Sequence, residues 1–411
     1  MNKIYHLLGV FVLCLTLTAC SSNDDFTDSI FDTSKGSVDK NSATAQFDQW
    51  LNDTFVVPYN TEIQYKFNFN ASKMEYQLTP SEYKKSQLLA HFIKYLFYDV
   101  YTKSAGDNFL KAYGPRIIHF VGSNAFSPTT GTEELGYASA GVKITLINVN
   151  GLKEWSSANP YTDADIDMLN ERQFHTMHHE FSHILHQTKS YPVAFGQVTP
   201  GSYDGRSWQE RDSVEASRLG FVTHYASSAT YEDFVETLSC TITDSDCRWM
   251  HRIIDMCLNK GMKDGDQKEV KQLIEDLGIE NAYSPNNSWN KFTVYKEYSK
   301  TSADVTKLET GRFVPSFHQA DCKRHQANGV TLSYEKEKDF TSFDEFLNWV
   351  TLASADETQG INAYLKKLDI AKKWYKENWG LDMFELRKEV RQRQKELNNY
   401  IEKNVTIYDY Q

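Results

Sequence analysis

One short stretch, HHEFSHILHQ (residues 178–187), has the residue types and spacing to do chemistry. His179 and His183 stand four apart with Glu180 directly after the first, as H-E-x-x-H. On a helix, residues four apart lie about 40° apart around the axis, one turn along. Both imidazoles can then aim at one metal ion, while Glu180, rotated by about 100°, flanks the same site. Two neutral imidazoles plus a third protein ligand suit tetrahedral zinc with one position left for water. Zinc lowers the pKa of such a water toward about 7, and a nearby carboxylate takes the proton. Glu180 is the candidate base. With 12 His and 55 acidic residues in 411, chance supplies only about 0.05 such matches. The competing reading is a histidine-rich structural helix, and a third ligand decides between the two.

The longer pattern H-E-x-x-H-x-x-G-x-x-H fails, because His186 fills its glycine place and Lys189 its last histidine place. A carboxylate from a later helix is the other source. In YASSATYEDFVE (225–236), Glu232 and Glu236 fall on one helix face. Thr230 with Asp233 three residues on predicts a capping box that starts this helix just before Glu232. One carboxylate would bind the metal and the other would orient a ligand histidine; spacing does not say which. EDFVE following HEFSH is similar to the lethal-factor-like branch of the gluzincin metallopeptidases. The resemblance implies Glu232 as third zinc ligand and Glu236 as the partner of a ligand histidine. It also implies Tyr225, seven residues before Glu232, as a phenol donor to the developing oxyanion. Taken alone, Tyr225 also has a plain reading as a core tyrosine. His175 and His186 lie near the face of His179 and His183, as supporting or structural residues. His178 lies off that face, and His224 sits beside Tyr225.

These residues need elements to hold them. Alternation over Glu62–Asn70 predicts a strand, and Arg116–Val121 and Val142–Val149 read as two more. Leu88, Leu89, Phe92, Ile93, Leu96 and Phe97 recur at helical spacing within a helix over Pro80–Tyr101, and a shorter helix covers Gly106–Tyr113. Asp163–His186 is one long helix carrying the motif. A short helix follows near Ser213–Leu219, and another over Tyr231–Ser239. Leu365–Lys403 is strongly helical with a break near Gly380. The strand at Val142–Val149 precedes the motif helix and is a candidate to pair with extended substrate; the plain alternative is a structural strand.

The N-terminal segment MNKIYHLLGVFVLCLTLTAC has one charge, Lys3, then an apolar run too short to span a bilayer. Its end, Leu17-Thr18-Ala19-Cys20, resembles a bacterial lipobox, which implies cleavage before Cys20 and lipid on that residue. Residues 20–45 read as an acidic lipidated tether. Asp24 and Asp25 resemble a surface-export signal, which points to an outer-membrane lipoprotein exposed at the cell surface, with the periplasmic face as the alternative. An acidic chain, formal charge −11 with no basic run, is a poor binder of nucleic acid. Cys240, Cys247, Cys257 and Cys322 allow a disulfide outside the cytoplasm, and the lack of C-x-x-C argues against a cysteine zinc site.

Several stretches resemble the substrate import-associated zinc metallohydrolase lipoproteins: YTKSAGDNFLKAYGPRIIHFVGS (101–123), the motif helix, EASRLGFVTHYASS (215–228), EDFVE and LKKLDIAKKWYKENWGLDMFELRKEV (365–390). The resemblance implies association with a TonB-dependent import system but names no substrate. The expected organisation is a signal peptide (1–19), the tether (20–45), a zincin-like core (46–240), an insertion (241–346) and a helical C-terminal part packed on the core (347–411). The expected fold is α+β and zincin-like: a small twisted sheet packed on the H-E-x-x-H helix, then a mostly helical half. The expected function is a cell-surface metallopeptidase with one Zn2+ per chain, acting on a peptide or protein. A non-catalytic substrate-binding lipoprotein and a zinc hydrolase of a non-peptide bond stay open beside it.

Overall fold

The computed structural model describes residues 38–410 apart from 69–75, 129–130, 132, 135, 140–141, 259–260, 264, 280–291, 302–311, 317–329 and 353. Cys20, the signal segment, most of the tether and Cys322 lie outside the described residues. The protein is α+β. A four-stranded sheet is built from β1 (Glu62–Gln64), β2 (Ile117–Phe120), β3 (Gly136–Ser139) and β4 (Lys143–Leu146) in the order β1-β2-β4-β3. The first three in that order run parallel, and β3 runs antiparallel to β4. Parallel neighbours need a crossover. Between β1 and β2 it is made by helices Tyr83–Ile93, Asp99–Ala105 and Asp107–Tyr113.

Register puts Ile118 beside Ile144 and Phe120 beside Leu146, and all four are fully buried on one face. Gly136, paired with Leu146, shares that face. A Cβ at Gly136 would meet Thr176 Cγ2 of the motif helix at 2.3 Å. A residue without a side chain is what lets this strand lie against that helix. β4 therefore corrects one expectation. It is shorter than Val142–Val149 and has a strand on each side, so its backbone is not available to a substrate. The edge on this side of the sheet is β3, and β1 is the other edge. β1 is likewise shorter than expected: of the predicted Glu62–Asn70 it covers Glu62–Gln64, and residues 69–70 lie outside the described residues.

The long motif helix forms as expected, with one irregularity. Thr162 starts it by a capping box: its hydroxyl accepts the Asp165 N–H at 3.3 Å, and the Asp165 carboxylate accepts the Thr162 N–H at 2.8 Å. The first segment, Asp163–Leu169, passes through a π-type stretch, Asn170–Phe174, into His175–Thr188. A π-type stretch inserts a residue and turns the next part of the helix about its axis. Helix His175–Thr188 buries Met177, Phe181, Ile184 and Leu185 in the core, leaving His175, His179 and His183 on another face.

A second helix, Thr230–Thr243, carries EDFVE and packs against the motif helix. The capping box predicted for it is absent: Ala229 is the N-cap, without a side-chain cap. Asp233 is instead fully buried and paired with Lys367 Nζ at 2.7 Å. Lys367 belongs to the C-terminal helix Gly360–Trp379, which Gly380 ends in the left-handed conformation (φ 68°) at the expected break. Arg387, on the next helix Met383–Lys395, donates to Thr241 O at 3.2 Å, placing a cation at the C-terminus of the EDFVE helix. Within 241–346, helix Asp246–Leu258 buries Trp249, Ile253 and Ile254 in the same core as Phe181. Cys240 and Cys257 are free buried thiols, so neither serves the disulfide that the cysteine count allowed. Among the described residues no helix is long and apolar enough to cross a membrane.

Three buried histidines make the fold acid-sensitive. Burial lowers His91 and His119 to about 4 and His178 to about 3. A lowered folded-state pKa means stability that is complete above the ordinary value of about 6.5 and lost as pH falls toward the folded value. The thermal midpoint is expected to drop steadily between pH 6.5 and pH 4. A flat midpoint across that window would contradict the neutral buried state of these side chains.

Candidate metal centre

The two helices bring together three residues that are four and 49 positions apart in sequence. His179 Nε2 lies 3.2 Å from His183 Nε2 and 3.1 Å from Glu232 Oε2, and His183 Nε2 lies 3.3 Å from the same oxygen. Three atoms each bound at about 2.0–2.1 Å to one tetrahedral ion stand about 3.3 Å apart. The triangle has the right edge length for zinc on all three sides.

The opposite ring nitrogens orient both rings. His179 Nδ1 faces Glu236 Oε1 at 2.7 Å, and a carboxylate only accepts, so Nδ1 carries a proton and Nε2 is the nitrogen that a metal would take once its own proton is displaced. His183 Nδ1 faces His186 Nε2 at 2.9 Å. Burial, then the neighbouring His183, lowers His186 to about 4, so His186 is neutral and meets His183 Nδ1 as donor or acceptor according to its tautomer. Both Nε2 atoms therefore face Glu232 Oε2. His175 Nε2 makes a further bond to Glu236 Oε1 at 2.8 Å. Thr223 donates to Glu236 Oε2 at 2.6 Å, a residue that sequence reasoning missed and for which the motif gives no signal. His178 bonds instead to the Tyr101 hydroxyl at 3.0 Å, away from the cluster. His224 stacks on Trp208 at 5.5 Å between centroids.

The electrostatics ask for a cation. Burial pushes the Glu232 carboxyl up, but the two imidazoles outweigh it and hold it at about 2. Burial opposes charge on His179, yet Glu232 and Glu236 outweigh that and raise its pKa well above the ordinary value. Glu180 is buried beside them, and its charge adds to the pull on His179 and Tyr225. Three carboxylates thus crowd a site walled by apolar core. A second donor group, His175, Cys240 and Asp244, fits a cation less well. There Arg252 Nε already holds Asp244 at 2.7 Å, and the guanidinium Nη2 sits 3.7 Å from the Cys240 sulfur.

Tyr225 begins a short 3-10 turn, Tyr225–Ser228, with its ring 5.8 Å from that of His179. Burial first, then the charge of Glu232 and a hydrogen bond to it, raises its pKa far above the ordinary tyrosine value. The phenol therefore stays protonated as a donor. Trp208 meets it edge-on at 4.9 Å and, with Tyr231 at 6.0 Å from His183, lines the cluster with aromatic surface.

No curated protein matches the chain. A crystal structure titled as a putative zinc-binding metallo-peptidase from Bacteroides caccae ATCC 43185 aligns with a TM-score of 0.52 and 24% identity. The alignment covers 89% of this chain and 97% of that one, which shows a shared fold. The sequence pattern of the family described as “Putative zinc-binding metallo-peptidase” matches residues 40–305, running past the EDFVE helix into the segment 241–346 expected to be an insertion. With well over half of its length matched, the chain belongs to that family.

Proposed function

We propose that the protein is a zinc-dependent metallopeptidase with a zincin-like core, in which His179, His183 and Glu232 hold one Zn2+ per chain. The observation that carries the reading is the 3.1–3.3 Å triangle of Nε2, Nε2 and Oε2. When bound, zinc supplies a Lewis acid that makes water nucleophilic near neutral pH. Glu180, one position after His179, accepts the proton of the attacking water and returns it to the leaving amine. Tyr225 donates its O–H to the oxygen that becomes negative, and Glu236 keeps His179 oriented through Nδ1. An extended peptide pairs along β3, the edge strand that lies against the motif helix, and not along the interior β4. The lipid anchor at Cys20, placement at the cell surface and partnership with a TonB-dependent importer belong to the proposal on the strength of the lipobox and the family resemblance in the sequence.

Metal analysis of the purified protein tests it. The expected result is about one zinc per chain, lost in His183→Ala while the far-UV spectrum is kept. A folded wild-type protein that takes up no zinc on titration would overturn the reading.

A further inference from the structure

We propose that Thr223 is a positioning residue that ties the Tyr225 turn to the metal ligands through Glu236, so that one hydroxyl sets both. The inference rests on the metal-centre reading above. Glu236 is almost completely buried, and three donors converge on it. His179 Nδ1 and His175 Nε2 reach Oε1 at 2.7 and 2.8 Å, and Thr223 reaches Oε2 at 2.6 Å. The first two fix one oxygen but leave the carboxylate free to swing about it. The bond from Thr223 holds the second oxygen and thereby the plane of the group. The plane decides where Oε1 lies, and Oε1 decides the rotation of the His179 ring whose Nε2 faces Glu232.

Thr223 does a second thing with the same oxygen. A hydroxyl donates once and can still accept. Oγ1 accepts the backbone N–H of Ala226 at 3.0 Å, inside the turn that presents Tyr225. The turn is also closed by Ser227 N–H to His224 O at 3.1 Å. Ala226 N–H, Thr223 O–H, Glu236 and His179 Nδ1–H thus form one continuous path between the phenol's backbone and a metal-facing imidazole. The residue before, Val222, is pinned through its carbonyl by Arg252 Nη1, so Thr223 is held from behind. Valine has nearly the shape of threonine but neither function. Serine keeps both.

The test compares Thr223→Val, Thr223→Ala and Thr223→Ser with wild type, by zinc affinity in competition with a chelator and by the visible spectrum of the cobalt-substituted protein. Direct partners of metal ligands typically change affinity by about 10- to 100-fold, and Thr223 acts one bond further out through Glu236, so about 10-fold is the size to look for. That loss is expected in the valine and alanine variants, with an altered cobalt spectrum, and recovery of both readouts in serine. Wild-type affinity and spectrum in Thr223→Val overturn the proposal while leaving the metal centre intact. Failure of both the valine and alanine variants to fold, with serine intact, makes Thr223 a folding residue and also overturns it. A wild-type protein that takes up no zinc removes the metal reading and this inference together.

Discussion

Glu180→Gln is expected to bind zinc as wild type does, to melt at nearly the same temperature, and to lose roughly 10²- to 10⁴-fold in peptide turnover, the usual worth of a positioned general base. The amide keeps the volume of the carboxylate, but it turns one of the two acceptor oxygens into a donor and cannot take a proton. Glu180 is not one of the three atoms of the donor triangle, so metal retention is the natural outcome. Removing its charge has one side effect of known sign. Glu180 raises the pKa of His179 and of Tyr225, so the variant relaxes both downward, which makes His179 easier to deprotonate and zinc uptake no worse. The measurements are zinc stoichiometry, thermal midpoint and hydrolysis of a peptide library by both proteins. Turnover within a few-fold of wild type would remove Glu180 as the base. Loss of zinc together with turnover would instead make it a structural member of the site.

The part of the site carried by a single helix was legible in the sequence, and the parts assembled across the fold were legible only in proportion to their chemistry. His179 and His183 needed only the four-residue repeat of a helix, which is why the spacing sufficed. Glu232 and Glu236 could be paired by the same repeat, but spacing could not say which one faces the metal. Their register against the motif helix settles the geometry, with Glu232 at both Nε2 atoms and Glu236 at Nδ1 of His179. Thr223 was invisible because a hydroxyl acquires its role only when a turn brings it under a buried carboxylate. β3 was invisible for another reason: Gly136, Tyr137, Ala138 and Ser139 show no apolar alternation, and a Cβ at Gly136 would collide with the Thr176 methyl of the motif helix. The capping box at Thr230 and Asp233 failed for a reason outside the helix. Local pattern assigns the aspartate to its own N-terminus, whereas a lysine from the C-terminal helices has taken it.

That lysine gives the largest expected effect on stability. Lys367 and Asp233 are both fully buried, 2.7 Å apart. The ammonium also donates to Gly220 O at 3.0 Å and lies 3.9 Å from the Phe221 ring centroid, and the Tyr203 hydroxyl donates to the same Asp233 oxygen at 2.8 Å. Breaking one side of such a pair leaves an uncompensated charge in the core and costs about 3–5 kcal/mol, whereas replacing both sides by apolar residues is often neutral. Lys367→Met is therefore expected to lose about 3–5 kcal/mol in denaturant unfolding with chelator present. The double variant Lys367→Met with Asp233→Leu should recover most of it, short of the bond that Tyr203 then lacks. Against a typical total of about 5–15 kcal/mol the single loss is severe. Asp233 directly follows Glu232, so the single variant should also hold zinc more weakly, and the double variant should regain part of that affinity. A single variant within about 1 kcal/mol of wild type would show that the carboxylate is hydrated or protonated, and the pair would then not be what fastens the EDFVE helix to the C-terminal helices. If the double variant is as unstable as the single one, the cost lies in lost packing around Phe221 and Tyr203 and not in the stranded charge.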